Sequence, residues 1–160
     1  RRHLICVALL CLVGYLPAQA QTPTIFTGLV VRVKDGDTIR VLRDGTPVTV
    51  RLAWVDAPEA AQPAGELAAL FTTALVLRRT VAVTVYSIDL YGRLVSAVRL
   101  EDGRDLSQEL VRAGLAWRYV RYAKHNALLA QLETEARTAQ LGLWALQNPI
   151  PPWEWRKGKR

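Results

Sequence analysis

The sequence predicts an α+β fold that is mainly β, in which five strands roll into a small Greek-key barrel accompanied by about three helices. Three observations predict it. Short runs of β-branched residues recur, strong turn dipeptides separate them, and one helical period interrupts the series between the third run and the fourth.

Residues 21–26 read as a short polar leader into the first run, Gly28 to Val33. Ile39 to Leu42 and Val48 to Leu52 repeat its apolar character, and Asp35-Gly36 and Asp44-Gly45 supply turns between the three. Pro63 opens a helical stretch, Glu66 to Leu77, which would present Leu67, Leu70, Phe71, Ala74 and Leu77 on one face. Val81, Val83 and Val85 alternate as a fourth strand, Tyr91-Gly92-Arg93 turns the chain, and Leu94 to Leu100 returns as a fifth. Asp105 is placed to cap a short helix that runs to Ala113 and stops at Gly114. A longer helix is expected from an Asn126 cap to Leu141, with Leu128, Leu129, Leu132, Ala136 and Ala139 on its apolar face. Beyond Trp144, Pro149, Pro151 and Pro152 argue against regular structure. This order, with a helix between the third and fourth strands, is that of an oligonucleotide-binding barrel.

The ends of the chain set the compartment. Arg1, Arg2 and His3 precede an apolar run from Leu4 to Leu16, and Ala18-Gln19-Ala20 offers a small-x-small cleavage pattern. The run is shorter than the ~20 residues of a spanning helix, so residues 1–20 are expected to be a signal peptide and the protein periplasmic or secreted. Residues 21–146 then form one domain, and 147–160 a Pro- and Trp-containing basic tail. Both cysteines, Cys6 and Cys11, fall within the leader, so the remaining chain has no thiolate for metal binding or nucleophilic work. Loss of Arg1 and Arg2 lowers the formal charge from +7 to +5, which favours polyanionic partners. No membrane association is expected after cleavage, and the protein is expected to be a monomer.

Three segments carry the chemistry: Asp35-Gly36-Asp37-Thr38, the string from Arg51 through Asp56-Ala57-Pro58 to Glu59, and Asp89 to Arg93. Singly they are a hairpin turn, a solvated acidic loop and a turn with a surface arginine. The first is no calcium-binding helix–loop–helix segment, which would need an oxygen ligand where Ile39 stands, glycine at Arg40 and glutamate at Thr46.

Taken together with Glu135-Ala136-Arg137 and Gly142-Leu143-Trp144, these segments resemble the staphylococcal nuclease family, over about Gly28 to Trp144. The resemblance implies a calcium-dependent nuclease that hydrolyses DNA and RNA and leaves 3′-phosphate ends. It implies Asp37, Asp56 and the backbone carbonyl of Ala57 as calcium ligands, Arg51 and Arg93 as phosphate-clamping arginines, and Glu59 as the water-activating carboxylate. Asp35 matches an acidic neighbour of the metal. Tyr91 and Tyr122 would contact the substrate, single-stranded DNA and RNA first, with double-stranded DNA as an open alternative. Leu90 stands where the best-known member has a lysine, which puts affinity for the nucleotide phosphate in doubt.

The chemistry fits. Hydrolysis of a phosphodiester builds charge on oxygens, which calcium and two guanidinium forks would stabilise, while a carboxylate handles the proton of water. Trp117 is expected in the core and His125 on a solvated loop. The tail, Trp153 to Arg160, could be an electrostatic arm for nucleic acid or a solubilising end. The alternative function is a catalytically inactive nucleic-acid-binding barrel, which should have lost at least one of Asp37, Arg51, Asp56, Glu59 and Arg93. This chain keeps all five.

Overall fold

The computed structural model describes residues 24–159. The expected signal peptide therefore lies outside the described residues.

Strand β1 (Thr24–Asp35) is long enough to pair with two partners. Its N-terminal half runs antiparallel to β5 (Thr80–Ile88), and its C-terminal half runs antiparallel to β2 (Thr38–Arg43). Register shifts at Val30/Arg32 and Val33/Asp35 bend it between those partners. Gly28 sits where β1 and β2 approach closely, since a Cβ there would lie 2.0 Å from the Leu42 carbonyl oxygen. Strand β2 continues into β3 (Thr46–Leu52), and β5 into β6 (Leu94–Arg99). The parallel pairing Val50–Leu94, Arg51–Val95 and Leu52–Ser96 then closes the barrel in the order β1-β2-β3-β6-β5. This is the small five-stranded barrel that the sequence predicts, α+β and mainly β.

Alternation fills the interior with Val30, Ile39, Val41, Val50, Leu52, Val81, Val83 and Val98, all buried. The three expected helices are present: α1 (Gly65–Val76), α2 (Leu106–Arg112) and, after a single turn α3 (Val120–Ala123), α4 (Ala127–Thr138). Asp105 caps α2 by accepting from the Gln108 N–H, and Asn126 caps α4 by accepting from the Leu129 N–H. A two-strand ribbon, β4 (Val55–Asp56) with β7 (Trp117–Arg118), was not apparent in the sequence because its strands have two residues each.

Three local expectations are corrected. Helix α1 buries Gly65, Ala68, Thr72 and Val76, whereas Leu67 and Leu70 are exposed. The small face wins because Gly36 presses on it: a Cβ at Gly36 would lie 2.8 Å from both the Ala68 and Ala57 methyls, and Thr72 Oγ1 donates to the Gly36 carbonyl at 2.6 Å. On α4 the buried face is Leu129, Leu132 and Ala136, leaving Leu128 exposed. The helix ends short of Leu141, Gln140 taking a left-handed φ of 53°. A 3-10 turn at Gly142–Ala145 follows, and the tail also carries regular structure, one α-turn, α5 (Pro152–Trp155). Pro152 starts α5, where a missing N–H costs nothing.

Candidate active site

The hairpin between β1 and β2 positions the first carboxylate. Asp35 pairs with Thr38, so Gly36 and Asp37 form the turn, and the Asp35 carboxylate accepts from the Asp37 N–H at 3.2 Å. Asp37 is 5% exposed. Its Oδ1 accepts from the Thr38 hydroxyl at 3.0 Å and its Oδ2 from the Ala57 N–H at 2.6 Å. Arg51 lies opposite Thr38 on β3, which brings its guanidinium alongside the same carboxylate.

Trp54, in a left-handed conformation at φ 67°, turns the chain from β3 into β4. The turn sets Asp56, 1% exposed, beside the Arg51 fork, with Nη2 donating to Asp56 Oδ1 at 2.7 Å and Nη1 lying 2.5 Å from Asp37 Oδ2. The Nη1 contact is an ion pair without hydrogen-bond alignment, so Nη1 is a buried donor with no hydrogen-bond acceptor among the described residues. Glu59 follows on the loop into α1, where the Gln62 side chain accepts from its N–H at 3.2 Å. Gly65 keeps that loop close, since a Cβ there would lie 2.0 Å from the Glu59 carbonyl oxygen.

A residue from the tail completes the cluster. Arg156 Nη2 donates to Asp56 Oδ2 at 2.7 Å, and its Nη1 contacts Asp56 Oδ1 at 3.3 Å and Glu59 Oε1 at 2.6 Å. Three carboxylates, Asp37, Asp56 and Glu59, thus share two guanidiniums, and Asp35 lies beside Asp37. The crowding shows in the protonation equilibria. Burial, then the charge of Asp37, pushes Asp35 up to about 6. Burial also raises Asp56, even against the opposing pull of Arg156 and Arg51. The charges of Asp37 and Asp56 raise Arg51 in spite of its burial.

The structure brings together Asp37, Arg51, Asp56, Ala57 and Glu59. Arg93 is held elsewhere, by its own turn: its Nε donates to Asp89 Oδ2 at 2.7 Å, and its guanidinium lies 5.4 Å from the Tyr91 ring centroid. Arg93 stands immediately before β6, one residue ahead of the Leu94–Val50 pair, and β6 adjoins the strand of Arg51. Tyr91 is 84% exposed and Tyr122 64% exposed. Tyr122 meets Tyr119 edge-on at 5.2 Å and borders a shallow cavity of about 640 Å³ lined also by Trp54, Arg121, Lys124 and His125. Trp117 is buried against Trp144 at 5.3 Å. Among the described residues no three His, Cys, Asp or Glu side chains form a ready metal cage, so an ion here would complete its shell from backbone, water or ligand oxygens.

Sequence reasoning missed Arg156 as a member of the cluster, Trp153 as the ring stacked on Tyr119 at 5.2 Å, and Trp54 as the turn beside Asp56. The alternation of aromatic and basic residues in Trp153 to Lys157 was the available signal. Its place could not be read from local pattern.

An oligonucleotide-binding barrel that gathers hard oxygen donors and arginine forks at one site defines a class of protein directed at phosphate esters. The family described as staphylococcal nuclease homologue matches residues 49–146. Among similar proteins, an "Uncharacterized endonuclease" of Escherichia coli is 43% identical over 132 residues, covering 82% of this chain and 86% of that protein. A "Micrococcal nuclease" of Shigella flexneri is 37% identical over 96% of this chain and 91% of its own length. The "Staphylococcal-like nuclease CAN1" of Arabidopsis thaliana is 42% identical over 69% of this chain but 34% of that longer protein. The chain belongs to the staphylococcal nuclease family, and these relatives support a nuclease function, that of a hydrolase acting on nucleic acid.

Proposed function

We propose that this protein is a calcium-dependent endonuclease that hydrolyses DNA and RNA to leave 3′-phosphate ends, acting as a monomer in the periplasm or outside the cell. The observation that carries the reading is the fork of Arg51 between two buried carboxylates, with Nη1 2.5 Å from Asp37 Oδ2 and Nη2 2.7 Å from Asp56 Oδ1, beside the more exposed Glu59.

The residues fit a hard divalent cation. Asp37, Asp56 and the Ala57 carbonyl would hold calcium, whose flexible oxygen shell admits two carboxylates, a backbone oxygen and water. When bound, calcium supplies Lewis-acid polarisation of the phosphodiester.

The chain's own groups do the rest. Arg51 and Arg93 grip phosphate oxygens through planar forks and stabilise the charge that builds on them. Glu59, more exposed than the two aspartates, positions water against phosphorus and takes or holds its proton as the P–O bond to the 5′ oxygen breaks, the 5′ oxygen leaving as a hydroxyl with a proton from solvent. Tyr91 and Tyr122 offer faces for unpaired bases, which favours single strands without sequence preference. Arg121 and Lys124 extend positive charge along the cavity beside Tyr122.

Digestion of single-stranded DNA by the purified protein, with calcium and then with excess chelator, tests the proposal. Cleavage that stops with chelator and yields ends sensitive to a 3′-phosphatase is expected. Tight binding without cleavage would replace it with the binding-only barrel.

A further inference from the structure

We infer that the tail segment from Ile150 to Lys159 is an active-site strap and that Arg156 is its built-in counter-cation, released when a divalent cation takes Asp56. The inference rests on the proposed role of Asp37 and Asp56 as metal ligands.

Arg156 reaches back 100 residues to place its fork across both oxygens of Asp56, at 2.7 and 3.3 Å, and on Glu59 at 2.6 Å. Those are the carboxylate proposed to hold the ion and the one proposed to serve the water. While Arg156 is there, neither group is available for chemistry.

The contact is not the chance lie of a long side chain, because the segment that leads to Arg156 is fastened to the barrel domain. Upstream, the side-chain amide of buried Gln62 donates to the Ile150 carbonyl, and the same Gln62 accepts from the Glu59 N–H. The Trp153 ring lies flat on Tyr119, with centroids 5.2 Å apart and planes 17° apart. Pro151 and Pro152 start α5, which turns Arg156 inward, and Glu154 pairs with Lys157 at 3.4 Å and with Lys159 at 2.8 Å. Proline-set backbone lowers the entropy lost in docking such a segment.

Electrostatics explains why the site needs this partner. Asp56 is 1% exposed, and a buried carboxylate left without a counter-charge is strongly unfavourable. Arg51 serves Asp37 as well and covers only one Asp56 oxygen. Arg156 covers the other, yet its side chain keeps 45% of its exposure, so it returns to water at little cost once another cation neutralises Asp56. Two cations that compete for one carboxylate are thermodynamically linked: the strap weakens metal binding by the factor by which metal binding loosens the strap.

The test reads metal affinity and strap release, not turnover. Calorimetric titration with calcium should show Arg156→Ala binding about three- to thirtyfold tighter than the parent. Lys157→Gln removes the same charge from the same segment, loses only the exposed pair with Glu154 and leaves Asp56 and Glu59 untouched, and should bind within about twofold of the parent. In the unmodified protein, calcium should also speed tryptic cleavage after Arg156, followed by mass spectrometry, because an engaged guanidinium cannot enter the protease pocket. This second measurement needs no variant that must fold. Equal calcium affinity in parent and Arg156→Ala, with cleavage after Arg156 unchanged by calcium, would overturn the strap and leave the metal site standing. Absence of calcium binding in both proteins would overturn the metal assignment, and the strap with it.

Discussion

Arg51 Nη1 lies 2.5 Å from Asp37 Oδ2, and the same fork reaches Asp56 through Nη2 at 2.7 Å. One guanidinium on β3 thus ties the turn that follows β1 to the short strand β4. Structure and proposed chemistry share the residue, and the first prediction separates them.

Arg51→Ala removes a largely buried cation from between two buried carboxylates. The metal-free variant should lose about 3–5 kcal/mol of stability. Calcium, by neutralising the same carboxylates, should recover part of that loss. Urea unfolding with calcium and with chelator measures both. A variant as stable as the parent in chelator would mean that the carboxylates do not depend on Arg51.

Among the described residues Arg93 is tied to its own turn, so its replacement should spare the fold and damage turnover. Arg93→Lys keeps the charge but loses the fork, and should cost about 10²-fold in kcat, close to the effect of Arg93→Ala. Thermal denaturation run beside steady-state cleavage distinguishes the cases. Cleavage by Arg93→Lys near the parent rate would return Arg93 to the role of a surface turn residue.

Glu59→Gln keeps shape and hydrogen-bonding capacity while removing the proton acceptor. Most of the turnover should disappear while single-stranded DNA still binds with calcium present. A fluorescence titration beside the cleavage assay checks this. Loss of binding together with cleavage would point to a structural role for the loop.

Asp35 binds its proton more tightly in the folded protein, about 6 against an ordinary value of 3.8. The folded state therefore holds more protons than the unfolded state between those values. Its contribution to stability is greatest below pH 4 and is lost as pH rises toward about 6. Asp35→Asn should flatten the metal-free stability profile in that window and raise stability at pH 7, by about 3 kcal/mol at most. Chemical denaturation across pH 4 to 8 in chelator reads it, and an unchanged slope would remove Asp35 from the pH response.

Gly36→Ala should destabilise the protein by about 1–3 kcal/mol, because the added methyl meets both Ala57 and Ala68 at 2.8 Å. It should also weaken calcium binding, since Ala57 and Asp37 are displaced together. Pairing it with Ala68→Gly relieves one of the two contacts and should restore part of the stability. No recovery would show that the strain lies in the turn itself.

The sequence by itself determined the barrel strands, the caps of α2 and α4, and the spacing of Asp37, Arg51, Asp56 and Glu59. Each of those signals is local. A β-branched run, an Asp or Asn before a helix, and a turn between paired strands act on neighbours a few residues away, so the pattern alone carries them. Only the tertiary structure decided which face of α1 is buried, that β4 pairs with β7, and that the tail lies across the carboxylates. Leucines at helical spacing predict an apolar face, but close packing admits Ala68 and not Leu67 or Leu70 against a hairpin that comes within methyl contact. A two-residue strand has no periodicity to read, so Asp56 finds Trp117 only once the barrel has brought them together. Arg156 and Asp56 stand 100 residues apart, and no local preference encodes their meeting. What selects it is a long-range balance of charge: a buried carboxylate requires a cation, and the folded chain brings Arg156 within its reach.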